Sequence, residues 1–115
     1  MINLANILLS DFKEDWSKPS IKFFRSHGAY GYVIWLTLID AFFTQKKISV
    51  ETLVITVENY ASRRTVIDFI IKASNAKFLN RFNSDEDKRK IIIEPSDITI
   101  NEYKEWAIDF KKNIS

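Results

Sequence analysis

The segment from residue 30 to 45, YGYVIWLTLIDAFFTQ, constrains the fold more than any other part of the chain. Tyr32, Trp35, Leu36, Ile39 and Phe43 recur at helical spacing with further apolar residues behind them, so a helix built here is apolar on nearly every side. A helix of that kind is normally buried, and other elements must be wrapped around it. The 115 residues are enough for one continuous core and too few for two, which predicts a single domain over residues 1–115. The apolar run over residues 29–43 is interrupted by Asp40 and falls short of the roughly 20 residues a bilayer requires, so a core helix is expected and no membrane span.

Elements on either side follow from periodicity and punctuation. Ile2, Leu4, Ile7, Leu8 and Phe12 have helical spacing and predict a first helix over residues 2–12. Pro19 restarts the chain into a short helix over residues 20–26 carrying Ile21, Phe23 and Phe24. Lys46, Lys47 and Ile48 read as an exposed connection, after which Ser49 caps a helix to about residue 59 with Leu53, Val54 and Val57 inward. The β-branched run of Val50, Thr52, Val54, Ile55, Thr56 and Val57 keeps a strand open as the alternative there.

After a turn at residues 59–61, Ser62 is a good cap for a helix to about residue 75, with Val66, Phe69, Ile70 and Ala73 as its buried stripe. Arg63, Arg64, Ile67, Asp68 and Ile71 lie on the opposite face. The period then shortens. Residues 77–82, a polar turn at 83–88 and an apolar strand at 89–94 form a β-hairpin that Pro95 ends. Thr99 and Glu102 have capping-box spacing before a last helix over residues 99–113 with Tyr103, Trp106, Ala107 and Phe110 on its stripe. The fold class is mainly α with a small hairpin (α+β).

Two helices joined by a tight turn at about 49–75, followed at once by a hairpin at about 77–94, have the layout of a winged helix-turn-helix. A helix fits the major groove, its N-terminus favours phosphate, and the hairpin can lay cations along the backbone. Net charge is only +2, but its distribution is uneven. Residues 1–61 carry six basic and six acidic groups, residues 62–93 eight and four, and residues 94–115 three and five, so the basic excess falls on the second helix and hairpin of this unit alone.

The candidate DNA-binding residues are therefore Asn59, Ser62, Arg63, Arg64, Thr65 and Ile67 on the helix-turn-helix, with Arg81, Lys88, Arg89 and Lys90 on the wing. Arg63 and Arg64 are the first choices for base contact, since arginine can donate two parallel hydrogen bonds to a guanine edge. Asp87 and Arg89 share one hairpin face at i, i+2 spacing, where the carboxylate can orient the guanidinium. Double-stranded DNA is the expected partner. Asp68, Asp85, Glu86 and Asp87 temper the patch, and a protein-docking module without a nucleic-acid role is a third reading.

Other chemistry finds little to build on. There are no cysteines and a single histidine, His27, so no transition-metal site or disulfide is expected. Asp85, Glu86 and Asp87 lack EF-hand spacing and glycine. Neither a phosphate-cradling glycine loop nor a Ser-x-Gly nucleophile elbow occurs, and no enzyme activity, cofactor or small-molecule ligand is expected. The first 15 residues lack the basic region and cleavage site of a signal peptide, which with the absence of cysteine points to a cytoplasmic protein. Phe23, Phe24, Trp35, Phe42, Phe43 and Phe69 are assigned to the core rather than to base stacking, and Trp16 and Trp106 are left open. The apolar stripes of the first and last helices are candidates for pairing with a second copy.

Two families share features with these residues. The stretch SRRTVIDFIIKASNAKFLNRFNSDEDKRKIIIEPSD resembles the recognition helix and wing of MarR-type transcriptional regulators, a resemblance that implies a D-x-R wing motif at Asp87 and Arg89 and operator binding as a dimer. The upstream stretch DWSKPSIKFFRSHGAYGYVIWLTLIDAFF, with Gly28, Gly31, Tyr32, Trp35 and Leu36, is similar to the N-terminal winged-helix module of phage and plasmid replication initiators and DnaD-like replisome organisers. That similarity implies origin recognition in replication initiation, which is the leading expectation, with the regulator role as the alternative.

Overall fold

The structure, a computed structural model, describes residues 3–14 and 17–114. Its elements run α1 Leu4–Glu14, α2 Pro19–Ser26, α3 Gly28–Phe43, β1 Ile48–Ser49, α4 Val50–Thr56, α5 Arg63–Asn75, β2 Leu79–Asn83, β3 Ile91–Pro95 and α6 Asp97–Ile114. The expected helical and hairpin segments form, α4 ending at Thr56 rather than near residue 59, and the β-branched α4 is a helix whose start is capped by Ser49 Oγ accepting from Thr52 N at 3.1 Å. Ile2 and Trp16 lie outside the described residues.

Helix α3 is the centre of the core, but its buried line is displaced from the expected stripe. Gly31, Ile34, Trp35, Leu38, Ile39 and Ala41 are buried, whereas Tyr32, Leu36, Phe42 and Phe43 are exposed. With apolar residues all round, the sequence could not say which sides would be covered. Around α3 are gathered Ile21 and Phe24 of α2, Leu53 of α4, Val66, Phe69, Ile70 and Ala73 of α5, Leu79 and Ile93 of the sheet and Ile100 of α6. Phe42 and Phe43, assigned to the core from sequence, are about half exposed, and Trp106 packs onto the core against Trp35 with ring centroids 5.4 Å apart.

The wing belongs to a three-stranded antiparallel sheet of order β1-β3-β2. Ile48, read as connection, is instead strand, pairing with Ile93, while Ser49 pairs with Ile92. Two residues between a helix and its cap leave too short a run for period-2 patterning to reveal. The hairpin register sets Leu79 opposite Pro95, Arg81 opposite Ile93 and Asn83 opposite Ile91, so Arg89 and Lys90 fall in the turn rather than on the strand. Helices α3 and α5 end alike. Lys46 N donates to Ala41 O at 2.8 Å past Gln45 (φ 58°), and Phe78 N donates to Ala73 O at 2.9 Å past Lys77 (φ 67°). Both are left-handed terminations that usually employ glycine.

The start of α6 corrects the capping-box expectation. The helix begins two residues early, behind Ser96, and Thr99 Oγ1 donates to Phe78 O at 2.7 Å instead of capping. Glu102 Oε1 accepts from Ser20 N at 2.8 Å, serving the first turn of α2. A second tie joins three helices. Asp11 of α1 is buried and accepts from Arg25 Nη2 of α2 at 2.9 Å and from Trp106 Nε1 of α6 at 2.5 Å. The Arg25 guanidinium also lies 5.6 to 6.0 Å from the rings of Phe12, Tyr32, Trp35 and Trp106, contacts that offset part of the cost of taking both charges out of water.

Gly31 explains part of the glycine pattern in this region. A Cβ placed there would stand 2.3 Å from the Phe24 carbonyl oxygen, so α2 and α3 approach as closely as they do because the side chain is missing. Alanine normally stabilises a helix interior by about 1 kcal/mol over glycine. For Gly31→Ala we expect the opposite sign, a loss of roughly 2 kcal/mol or more through forced separation of the two helices, measurable as a lowered urea midpoint.

Candidate nucleic-acid interface

Helix α5 is presented by its own cap and by α4. Ser62 stands in extended conformation and its hydroxyl accepts from Thr65 N at 3.2 Å, satisfying one of the free N–H groups of the first turn. The Ser62 hydroxyl donates to Thr65 Oγ1 at 3.0 Å. Ser62 and Thr65 are thus joined to each other at the helix start. Val66, Phe69, Ile70 and Ala73 anchor α5 to the core, which turns Arg63, Arg64, Asp68 and Ile71 outward with Ile67 half-buried between them. Asn59 is exposed in the turn before the cap.

Arg63 has a specific partner that the sequence did not announce. Its Nη1 and Nη2 each donate to one oxygen of Glu51, both at 2.6 Å, across twelve residues of chain. Glu51 sits in the first turn of α4, so this fork joins the two helices of the helix-turn-helix at their starts. Both side chains are more than half exposed. The guanidinium hydrogen bonds hold the Glu51 carboxyl below its ordinary value, and the carboxylate raises Arg63 in return. Sequence spacing carries no signal for a pair twelve apart in two different helices.

The wing turn is ordered by short-range bonds. Asn83 Nδ2 donates to Lys88 O at 2.6 Å, Ser84 N to Lys90 O at 2.9 Å and Lys90 N to Asp87 O at 2.9 Å. Asp87 Oδ1 accepts from Arg89 N at 3.0 Å and from Arg89 Nε at 3.3 Å, the orientation anticipated from their spacing. The Arg89 side chain is nevertheless 93% exposed, held at its root and open at its tip. Arg81, Lys88 and Lys90 are exposed as well.

A recess of about 170 Å³ between the start of α4, the face of α5 and the base of the wing brings some of these residues together. Arg63, Ile67, Arg89 and Lys90 line it with Glu51. Arg64, Asn59, Arg81 and Lys88 lie outside that lining. The carboxyl groups of Asp85, Glu86 and Asp87 border a separate cleft of about 410 Å³ that faces Lys47, Ser49 and Thr52. Among the described residues no cluster of acidic groups and histidine is placed to hold a metal ion, and no helix is long and apolar enough to cross a membrane.

No family model matches the chain, and no curated protein matches its sequence. Solved structures do match its fold. The heme sensor protein PefR from Streptococcus agalactiae, in complex with heme, aligns with a TM-score of 0.60 at 16% identity over 97% of this chain and 76% of that one. The transcriptional regulator PA4135 aligns at 0.54 and 14% over 98% and 79%, and reduced AbfR bound to DNA at 0.58 and 14% over 96% and 72%. The fold is a winged helix. Among the described residues, six helices with a small three-stranded sheet match these structures over nearly the whole chain. Of these three similar structures, one is a heme sensor, one a transcriptional regulator and one a protein bound to DNA.

The Glu51–Arg63 fork has a measurable signature. A carboxyl whose folded value is lowered contributes stability that is present above its unfolded value and lost as pH falls through the folded one. By carbon-detected NMR titration Glu51 should protonate at lower pH than an ordinary glutamate, and Arg63→Ala should return it to the ordinary range. Because the pair is exposed, the accompanying change in unfolding midpoint near neutral pH should be small.

Proposed function

We propose that this winged-helix chain is a transcriptional regulator that binds duplex DNA as a dimer, with α5 in the major groove and the wing turn along the backbone. The observation that carries this is the convergence of Arg63 and Ile67 of α5 with Arg89 and Lys90 of the wing on one recess, with Arg64 exposed beside them. A reading helix and a wing that present cations on one side can contact base edges and phosphates of the same duplex. In this arrangement Arg64 and Arg63 are the base-reading residues, Arg89, Lys88, Lys90 and Arg81 are phosphate contacts, and Ser62, Thr65, Asn59 and Ile67 shape the approach.

The replication-initiator role, favoured on sequence, is the less supported of the two. The structures that match over nearly all of this chain include a transcriptional regulator and a protein bound to DNA, which favours operator binding. The expectation of no small-molecule ligand also loses support, since one match is a heme sensor in complex with heme, and this chain has an apolar recess of about 500 Å³ between α1, α2 and α3.

The experiment is a duplex-binding titration at several salt concentrations. Counterion release requires affinity to fall steeply with salt. We expect Arg64→Ala to cost about 1–3 kcal/mol on a selected duplex and to relax base preference, and Arg89→Ala to weaken all duplexes alike with a salt slope shallower by about one. Salt-independent binding, or no effect of either variant, excludes this function.

The dimer rests on the terminal helices. Leu4, Leu8, Leu9 and Phe12 of α1 and Ile108 of α6 are all about half exposed, an apolar patch of the kind that marks association. Sedimentation should give twice the chain mass, and Leu8→Glu should shift it toward the monomer.

A further inference from the structure

We propose that Glu51 is an internal competitor for the duplex: it occupies the Arg63 guanidinium in the free protein and is exchanged for a nucleic-acid acceptor when DNA docks. This rests on the DNA-binding function above. Glu51 engages Nη1 and Nη2 together, each at 2.6 Å, and these terminal N–H groups are the donors that a guanine edge or a phosphate takes from arginine. One guanidinium edge cannot hold the carboxylate and a second fork-shaped acceptor at once. Arg63 therefore offers this edge to DNA only after leaving Glu51.

The surroundings make the exchange feasible. Glu51 is the one carboxylate lining the recess that also holds Arg63, Arg89 and Lys90, so it stands where an anion of the duplex would meet these cations. Both partners are more than half exposed, and an exposed ion pair is held by little net free energy and is weakened by salt. The fork is then well ordered yet cheap to open. By contrast Arg89 is bonded through Nε to Asp87 at 3.3 Å, which leaves its terminal nitrogens directed outward, so the wing arginine is oriented without being withheld. The two arginines of the recess are thus treated differently by their carboxylates, one presented and one occupied.

A purely structural role for Glu51 predicts something else. If the fork only braced α4 against α5, removing it would lower stability and loosen the reading head, and DNA binding would weaken. If Glu51 competes, its neutral isostere should leave the fold intact and strengthen binding.

The test uses the full chain as wild type, Glu51→Gln, Arg63→Ala and the double variant, with a fluorescent duplex of random sequence titrated across a salt series. Asp68→Asn is the charge control, since it removes the same charge from the exposed face of α5 with no bond to Arg63 in the fork. We expect Glu51→Gln to bind roughly three- to tenfold more tightly, with a salt slope steeper by about one, and an unfolding midpoint close to wild type. In the Arg63→Ala background the same substitution should keep only the general charge gain that Asp68→Asn shows, because nothing is left to release. Asp68→Asn should give a gain that does not depend on Arg63. In the wild-type complex the Glu51 carboxyl should titrate closer to the ordinary glutamate range than in the free protein.

Unchanged or weaker binding by Glu51→Gln, or an equal gain in both backgrounds, overturns the competitor role while leaving DNA binding in place. Salt-insensitive binding by every variant overturns the DNA-binding function and this inference with it. Should Glu51→Gln lose its cooperative unfolding, Glu51→Ala applies the same criteria.

Discussion

The burial of α3 is the constraint from which the remaining architecture follows. Ile34, Trp35, Leu38 and Ile39 are shut away from water on a helix with no polar side broad enough to face solvent, and every other element except α1 contributes to covering them. Burying one large apolar side chain is worth about 1.5–3 kcal/mol, so the cluster around α3 is the main favourable contribution to folding. Its demands reach the reading head directly. Phe69 and Ile70 of α5 are held in the same core as Trp35, and their anchoring turns the opposite face of α5, with Arg63 and Arg64, toward solvent.

Two devices let the helices close on α3. At Gly31 the missing side chain admits the Phe24 carbonyl, bringing α2 down onto α3. At Asp11 a buried carboxylate is satisfied by Arg25 and by the Trp106 indole, tying α1, α2 and α6 together at one point. A buried ion pair is weak evidence for stability because of its desolvation cost. Its geometric consequence is firmer, since the two oxygens of Asp11 are bonded to two different helices. The terminal helices, which carry the exposed apolar patch, are by this route fixed relative to α2 and α3.

The reading head is less cationic than its composition suggests. Of eight basic groups in residues 62–93, Arg63 and Arg89 are bonded to carboxylates of their own chain, one through the tips of its guanidinium and one through its root. Under the proposed function, this pairing moderates electrostatic attraction to a duplex in the free protein, while the cations that remain exposed, Arg64 and Lys88 among them, supply long-range attraction.

Local features of the chain were legible wherever a local rule sufficed. The caps at Ser49 and Ser62, the buried stripe of α5, the hairpin and the Asp87–Arg89 bond all depend on residues within a few positions of one another, and all formed as the spacing predicts. Legibility ended where partners are distant. Glu102 has the spacing to cap a helix starting at Thr99, yet it serves Ser20, because the helix starts earlier at Asp97 and α2 lies within reach of Glu102. Phe42 and Phe43 have the composition of core residues but stay about half exposed at the end of α3, although the Phe43 ring meets Tyr103 of α6 at 5.8 Å. The strand at Ile48 exists only because β3 passes beside it. The sequence by itself thus determined the elements, their order and the side of α5 that faces water, since these follow from periodicity and capping. Only the tertiary structure decided that Arg63 would meet Glu51 and share a recess with Arg89, because side-chain chemistry at long separation is set by how helices and sheet pack, and packing is a property of the whole core.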